Sequence, residues 1–175
     1  MLIVGDFDFL KSINTDLDIY ENVRKEINYS WNVILDPNKT HTLSACCKRI
    51  PEWIYASPEA IMILFSAHNI RNIDKVKDEK AYIDMLQYKM EYILWKLHAH
   101  LKTNISIILP NDKSAARFSK SDTQIICNVF NTAQIRIRHV ADKTGSDIID
   151  LSSHEQLNIV KELPFAVKSW LMKQQ

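Results

Sequence analysis

Five short apolar runs, each followed or preceded by a stretch of helical periodicity, constrain this chain more than any other feature. The runs are Met1–Val4, Trp31–Leu35, Ala60–Phe65, Ile105–Leu109 and Asp147–Leu151. They are apolar at successive positions rather than alternate ones, so both faces of each strand must be buried. Between them lie candidate helices over Asp16–Asn28, Leu43–Trp53, Glu79–His100, Asp122–Thr144 and Glu155–Lys173. Strands that alternate with helices build a parallel sheet covered on each side, a three-layer α/β/α sandwich. At 175 residues the chain is expected to form one such domain, residues 1–175, with a sizeable core.

Two helical segments carry more detail. In Asp122–Thr144, Ile125, Ile126, Val129, Phe130, Ala133, Ile137 and Ala141 recur at helical spacing and form one stripe to bury. Gly145 is placed to end that helix in a left-handed conformation. In Glu79–His100, Ile83, Leu86, Met90, Ile93, Leu94 and Leu97 fall on one face, and Met85, Tyr88, Tyr92, Trp95 and Ala99 on the other. A helix lying on a sheet needs only one apolar face. Tyr88, Tyr92 and Trp95 are therefore the candidate surface for a protein partner or a homo-oligomer. In the final segment Pro164 is expected to stop the helix near Leu163 or to kink it.

Composition narrows the function classes. The formal net charge is +1, which gives no global pull toward nucleic acid or an anionic membrane. No apolar run approaches the roughly 20 residues that span a bilayer, and no signal-peptide pattern opens the chain. Three cysteines, Cys46, Cys47 and Cys127, do not make a disulfide framework; reduced thiols in a cytoplasmic protein are expected. Gly5 and Gly145 are the only glycines, so there is no loop of the kind that cradles phosphates, and no cofactor is expected. His41, Cys46, Cys47, His98 and His100 lack zinc spacing. Lys113, Arg117 and Lys120 read as a solvated basic loop.

The motifs at the ends of the apolar runs carry a family resemblance. The first run enters Gly5-Asp6-Phe7. The third leads into Ser66-Ala67-His68-Asn69. After the fifth comes Asp150-Leu151-Ser152-Ser153-His154. In order and spacing these resemble the blocks of the SGNH, or GDSL-type, hydrolases. The resemblance implies a flavodoxin-like sheet of five parallel strands in the order 2-1-3-4-5. It also implies a catalytic site drawn from Asp6, His68, Asn69 and His154. The family's nucleophilic serine follows Gly-Asp, and that position here is Phe7. Its oxyanion asparagine falls on His68, with Asn69 one place later. The acid of its last block falls on Leu151, with Asp150 one place early. Only His154 is in register.

Acyl transfer through serine needs an activated hydroxyl, a base within reach, and donors aimed at the oxyanion. A phenyl ring supplies no nucleophile, and Ser12 lies too far along the chain to replace it. The expected function is thus a non-catalytic relative acting as a binding or interaction module. One alternative is an ester or acetyl hydrolase with an altered site. Another is a metal-dependent phosphatase or nuclease that uses Asp6 and Asp8, with Asp36 and Asp150 as further acids.

Overall fold

The fold is taken from a computed structural model. It describes residues 1–4, 19–27, 34–35, 42–65, 67–70, 76–110, 123–152 and 156–174. In chain order the elements are β1 (Leu2–Val4), α1 (Ile19–Glu26), β2 (Ile34–Leu35), α2 (Leu43–Ala56) and β3 (Ala60–Leu64). A 3-10 turn (Ala67–Ile70) follows, then α3 (Glu79–His100), β4 (Asn104–Leu109), α4 (Thr123–Thr144), β5 (Asp147–Asp150) and α5 (Gln156–Lys173). The strands form one sheet in the order β2-β1-β3-β4-β5, and every neighbouring pair is parallel. This is the α/β/α sandwich expected from the alternation of apolar runs and helices.

The core divides by the two-residue period of the strands. Ile61, Ile63, Ile105, Ile107 and Leu109 face α2, α3 and α4, where Trp53, Leu94, Phe130 and Ile137 meet them. Ile3, Met62, Leu64, Ile108 and Ile149 face α1 and α5, meeting Val23, Val167 and Trp170. Consecutive residues of one strand thus enter different clusters, which is why the runs are apolar without alternation. In the larger cluster Phe65 and Phe130 stack with ring centroids 5.3 Å apart. One polar side chain interrupts this pattern: Ser106 in β4 is fully buried.

Helix ends follow the sequence closely. Thr42 caps α2 by accepting from the Ala45 N–H, and Asp78 caps α3 by accepting from the Ala81 N–H. Gly145 has φ +72° and closes α4, as expected. The Ser146 N–H then reaches back to the Ala141 carbonyl and the Gly145 N–H to that of Asp142. Pro164 neither stops the last helix nor separates it into two; α5 is assigned continuously across it. Pro51 sits inside α2 in the same way.

Candidate functional site

The strand order places a topological switch at the carboxyl ends of β1 and β3. From β1 the chain moves outward to β2, then returns to β3 on the other side of β1. Open α/β sheets bind ligands in the crevice that such a reversal creates. Val4, the last residue of β1, pairs in register with Ile63 of β3. The carboxyl ends of β1 and β3 therefore lie side by side at the crevice. Asp6, Phe7, Asp8, Asp36, Ser66 and His154 lie outside the described residues, as does the side chain of His68 in the 3-10 turn.

Asn69 is the one residue of this group with described side-chain contacts. It is only 4% exposed. Its Oδ1 accepts from the Leu43 N–H at 2.8 Å, satisfying a donor in the first turn of α2. Its backbone carbonyl accepts from the Tyr82 hydroxyl at 2.6 Å. Burial pushes the Tyr82 phenol up from its ordinary pKa, so it stays protonated and keeps donating. The turn after β3 is thereby tied to α2 on one side and α3 on the other. Asn69 functions as a cap supplied from a distant loop, which spacing along the chain gave no means of finding.

Further along the same edge, β4 ends at Pro110. The buried Gln134 of α4 donates its Nε2 to the Pro110 carbonyl at 2.6 Å. At the end of β5, Asp150 turns toward α4. It pairs with Arg138 at 2.7 Å and accepts from both the N–H and the hydroxyl of Ser152. Burial alone would raise the Asp150 carboxyl. The Ser152 hydrogen bonds and Arg138 outweigh it and hold the pKa below the usual carboxylate range. Leu151, at the position where the family places an acid, is 3% exposed in the smaller core cluster. Its N–H extends the ladder to the Leu109 carbonyl.

A groove of about 340 Å³ runs beside this strand end, between β5 and α5. Leu151, Phe165, Ala166 and Trp170 supply its apolar wall, and Asp150, Glu162 and Lys173 line it with charge.

Two other nucleophile and base groups among the described residues have structural surroundings. His98 Nε2 lies 2.9 Å from Ser146 Oγ, which in turn contacts Thr144 Oγ1 at 3.1 Å. This pair sits at the amino end of β5, the opposite edge from the crevice, and ties the end of α3 to the end of α4. Burial lowers the His98 pKa, so its neutral form is favoured. Burial raises the Cys47 thiol above its ordinary pKa, more than nearby Lys89 lowers it, which disfavours thiolate chemistry. Among the described residues, no three His, Cys, Asp or Glu side chains come together to hold a metal. Nor is any described helix long and apolar enough to cross a membrane.

No family model matches the sequence, and no curated protein matches it. Solved structures do match its fold. A lipase/acylhydrolase from Enterococcus faecalis superposes with a TM-score of 0.65 at 16% identity, covering 99% of this chain and 95% of that one. The acetyl xylan esterase AlAXEase gives a TM-score of 0.63 at 12% identity, covering 95% of this chain and 85% of that one. A catalytic serine-to-alanine mutant of an acetylxylan esterase from Geobacillus stearothermophilus gives 0.61 at 12% identity, covering 85% and 74%. The fold is therefore the SGNH-like fold of these ester and acyl hydrolases.

Proposed function

We propose that this chain is an ester-hydrolase-like protein whose crevice binds a small ligand without serine-based acyl transfer. The observation that carries this reading is at the end of β5. Leu151 fills the acid position with an apolar side chain turned into the core, while Asp150 is engaged by Arg138 and Ser152. The sequence adds a phenyl ring at position 7, where the resemblance places the nucleophile. Losing one member of a nucleophile, base and acid unit removes most of its rate enhancement, about 10⁴-fold or more. Here two of the three are substituted. Acylated small molecules are the natural ligand class for a crevice of this lineage. Cysteines held as thiols at positions 46, 47 and 127 suit a reducing compartment such as the cytoplasm.

The second reading is ester hydrolysis by an altered site. The comparisons on their own favour it, because the matching structures are named as esterases and an acylhydrolase. Hydrolysis of p-nitrophenyl acetate decides between the two. The binding reading expects a rate equal to that of His154→Ala. Turnover that His154→Ala abolishes overturns it and establishes the hydrolase.

A further inference from the structure

We propose that His98, Ser146 and Thr144 form a hydrogen-bond relay of fixed direction in which the imidazole is the donor. The relay is a latch between the ends of α3 and α4 that holds with neutral and with charged histidine, and it withholds Ser146 from nucleophilic chemistry. It lies at the amino edge of the sheet, and the inference does not depend on what the crevice binds or turns over. Earlier in the same helix, Tyr88, Tyr92 and Trp95 are exposed on the outer face, and the described residues show no partner for them.

A chain of short contacts defines the relay. His98 Nε2 lies 2.9 Å from Ser146 Oγ, and Ser146 Oγ lies 3.1 Å from Thr144 Oγ1. Thr144 Oγ1 in turn lies 2.9 Å from the Val140 carbonyl oxygen and 3.2 Å from that of Ala141. Each hydroxyl has one proton to give, and a carbonyl has none. That asymmetry sets the order. Thr144 gives its proton to the carbonyls of the last turn of α4. Ser146 then gives to Thr144, and the ring gives to Ser146, so every link of the chain is a hydrogen bond.

Both other orders lose a bond. In the reversed order Thr144 gives to Ser146 and Ser146 to a bare Nε2. Thr144 Oγ1 then faces the Val140 oxygen at 2.9 Å with no proton between them. In a mixed order Ser146 gives to Nε2 and Thr144 to Val140. The two hydroxyl oxygens then meet at 3.1 Å without a proton. Each sets lone pair against lone pair where Ser146 is only 8% exposed, so water does little to compensate.

Two consequences follow from the direction. A neutral ring with its proton on Nε2 has its lone pair on Nδ1, which has no partner among the described residues. Proton uptake therefore occurs at Nδ1, and the Nε2–H bond to Ser146 survives it. Charged and titratable residues at this end of the fold are Lys96 and His100 of α3, Lys102 after it, Asp142 and Lys143 of α4, and Asp147 of β5. None of them moves the His98 pKa, which burial alone lowers. The cost of acidification at His98 is thus that of burying a charge, and the latch itself is kept. The second consequence concerns Ser146. Its proton goes to Thr144, and the nearest nitrogen already holds one, so it has no base to activate it.

Two-bond proton–nitrogen correlation NMR reads the direction on the native full chain, with His98→Gln identifying the His98 signals among the six histidines. At neutral pH His98 is expected to be protonated on Nε2 and bare on Nδ1. Acidification is expected to move the Nδ1 resonance and leave Nε2 near its place. A bare Nε2, or an Nε2 resonance that carries the shift, overturns the proposal. Thr144→Val supplies a second readout that packing alone would not move. It removes the acceptor of the Ser146 proton, which then passes to Nε2, and the ring is expected to shift toward the Nδ1–H tautomer. A variant that keeps the native tautomer overturns the relay. Ser146→Ala is expected to leave any turnover of p-nitrophenyl acetate unchanged, and a loss of turnover would make Ser146 a nucleophile and overturn the proposal equally.

Discussion

Replacing Ser106 by alanine is expected to stabilise the protein. Ser106 lies in β4 in register between Met62 of β3 and Asp147 of β5, and is 0% exposed. Strand alternation aims its side chain at the α1 and α5 layer, with Ile108. Its hydroxyl has no hydrogen-bond partner among the described residues. A buried hydroxyl left unpaired costs about 1–3 kcal/mol. Deleting one oxygen leaves a gap of about 15 Å³, which costs only ~0.3 kcal/mol at the usual cavity rate. The balance is a gain of about 1 kcal/mol, which is about 2–4 °C in Tm for a chain of this length. Urea unfolding measures it as a higher midpoint with an unchanged slope. A loss of about 1 kcal/mol or more would refute the reasoning, because it would mean that the hydroxyl is satisfied in solution.

Three further outcomes follow from contacts described above. Asn69→Ala leaves the Leu43 N–H unpaired in a buried setting, and is expected to cost about 1–3 kcal/mol of stability by urea unfolding. Gly145→Ala places a Cβ where no atom lies within 4 Å, so its cost is the left-handed backbone alone, about 1 kcal/mol by the same assay. His98 has a folded pKa depressed by burial, so the unfolded chain binds its proton more readily. Its contribution is present above the ordinary histidine pKa and is lost as pH falls through the lower folded value. Thermal melts from pH 8 to pH 5 are expected to fall more steeply for the native protein than for His98→Gln, and equal slopes would contradict this.

The architecture was legible because burial leaves a periodic trace. The bounds Glu79–His100 agree with the sequence reading, whose signal is helical periodicity on both faces. Of the run Trp31–Leu35, Ile34–Leu35 forms β2, and residues 31–33 lie outside the described residues. Pro164 is a stop or a kink by sequence, and α5 does not stop there, with Leu163 and Val167 buried on either side in the smaller cluster. Packing of an apolar face can outweigh one missing backbone hydrogen bond.

The site was legible only in outline. The ends of β1 and β3, after which Gly5-Asp6-Phe7 and Ser66–Asn69 come in the sequence, could be placed side by side, because strand order follows from the alternation and the resemblance. The work of individual polar groups could not. Asn69 satisfies the start of α2, and Asp150 answers to Arg138 across the β5–α4 junction. Such bonds link residues far apart in sequence, and no local spacing encodes them.

The β5 margin of the sheet has a bearing on how copies of this protein can meet. β5 is four residues long, with an aspartate at each end. Asp147 is held by the Trp170 indole and Gln174, and Asp150 by Arg138, so both charges are fixed in place beside the open backbone. Short, charged borders of this kind resist the addition of a foreign strand, the commonest route to fibrils and runaway polymers. Growth by sheet extension is thus disfavoured at the β5 margin.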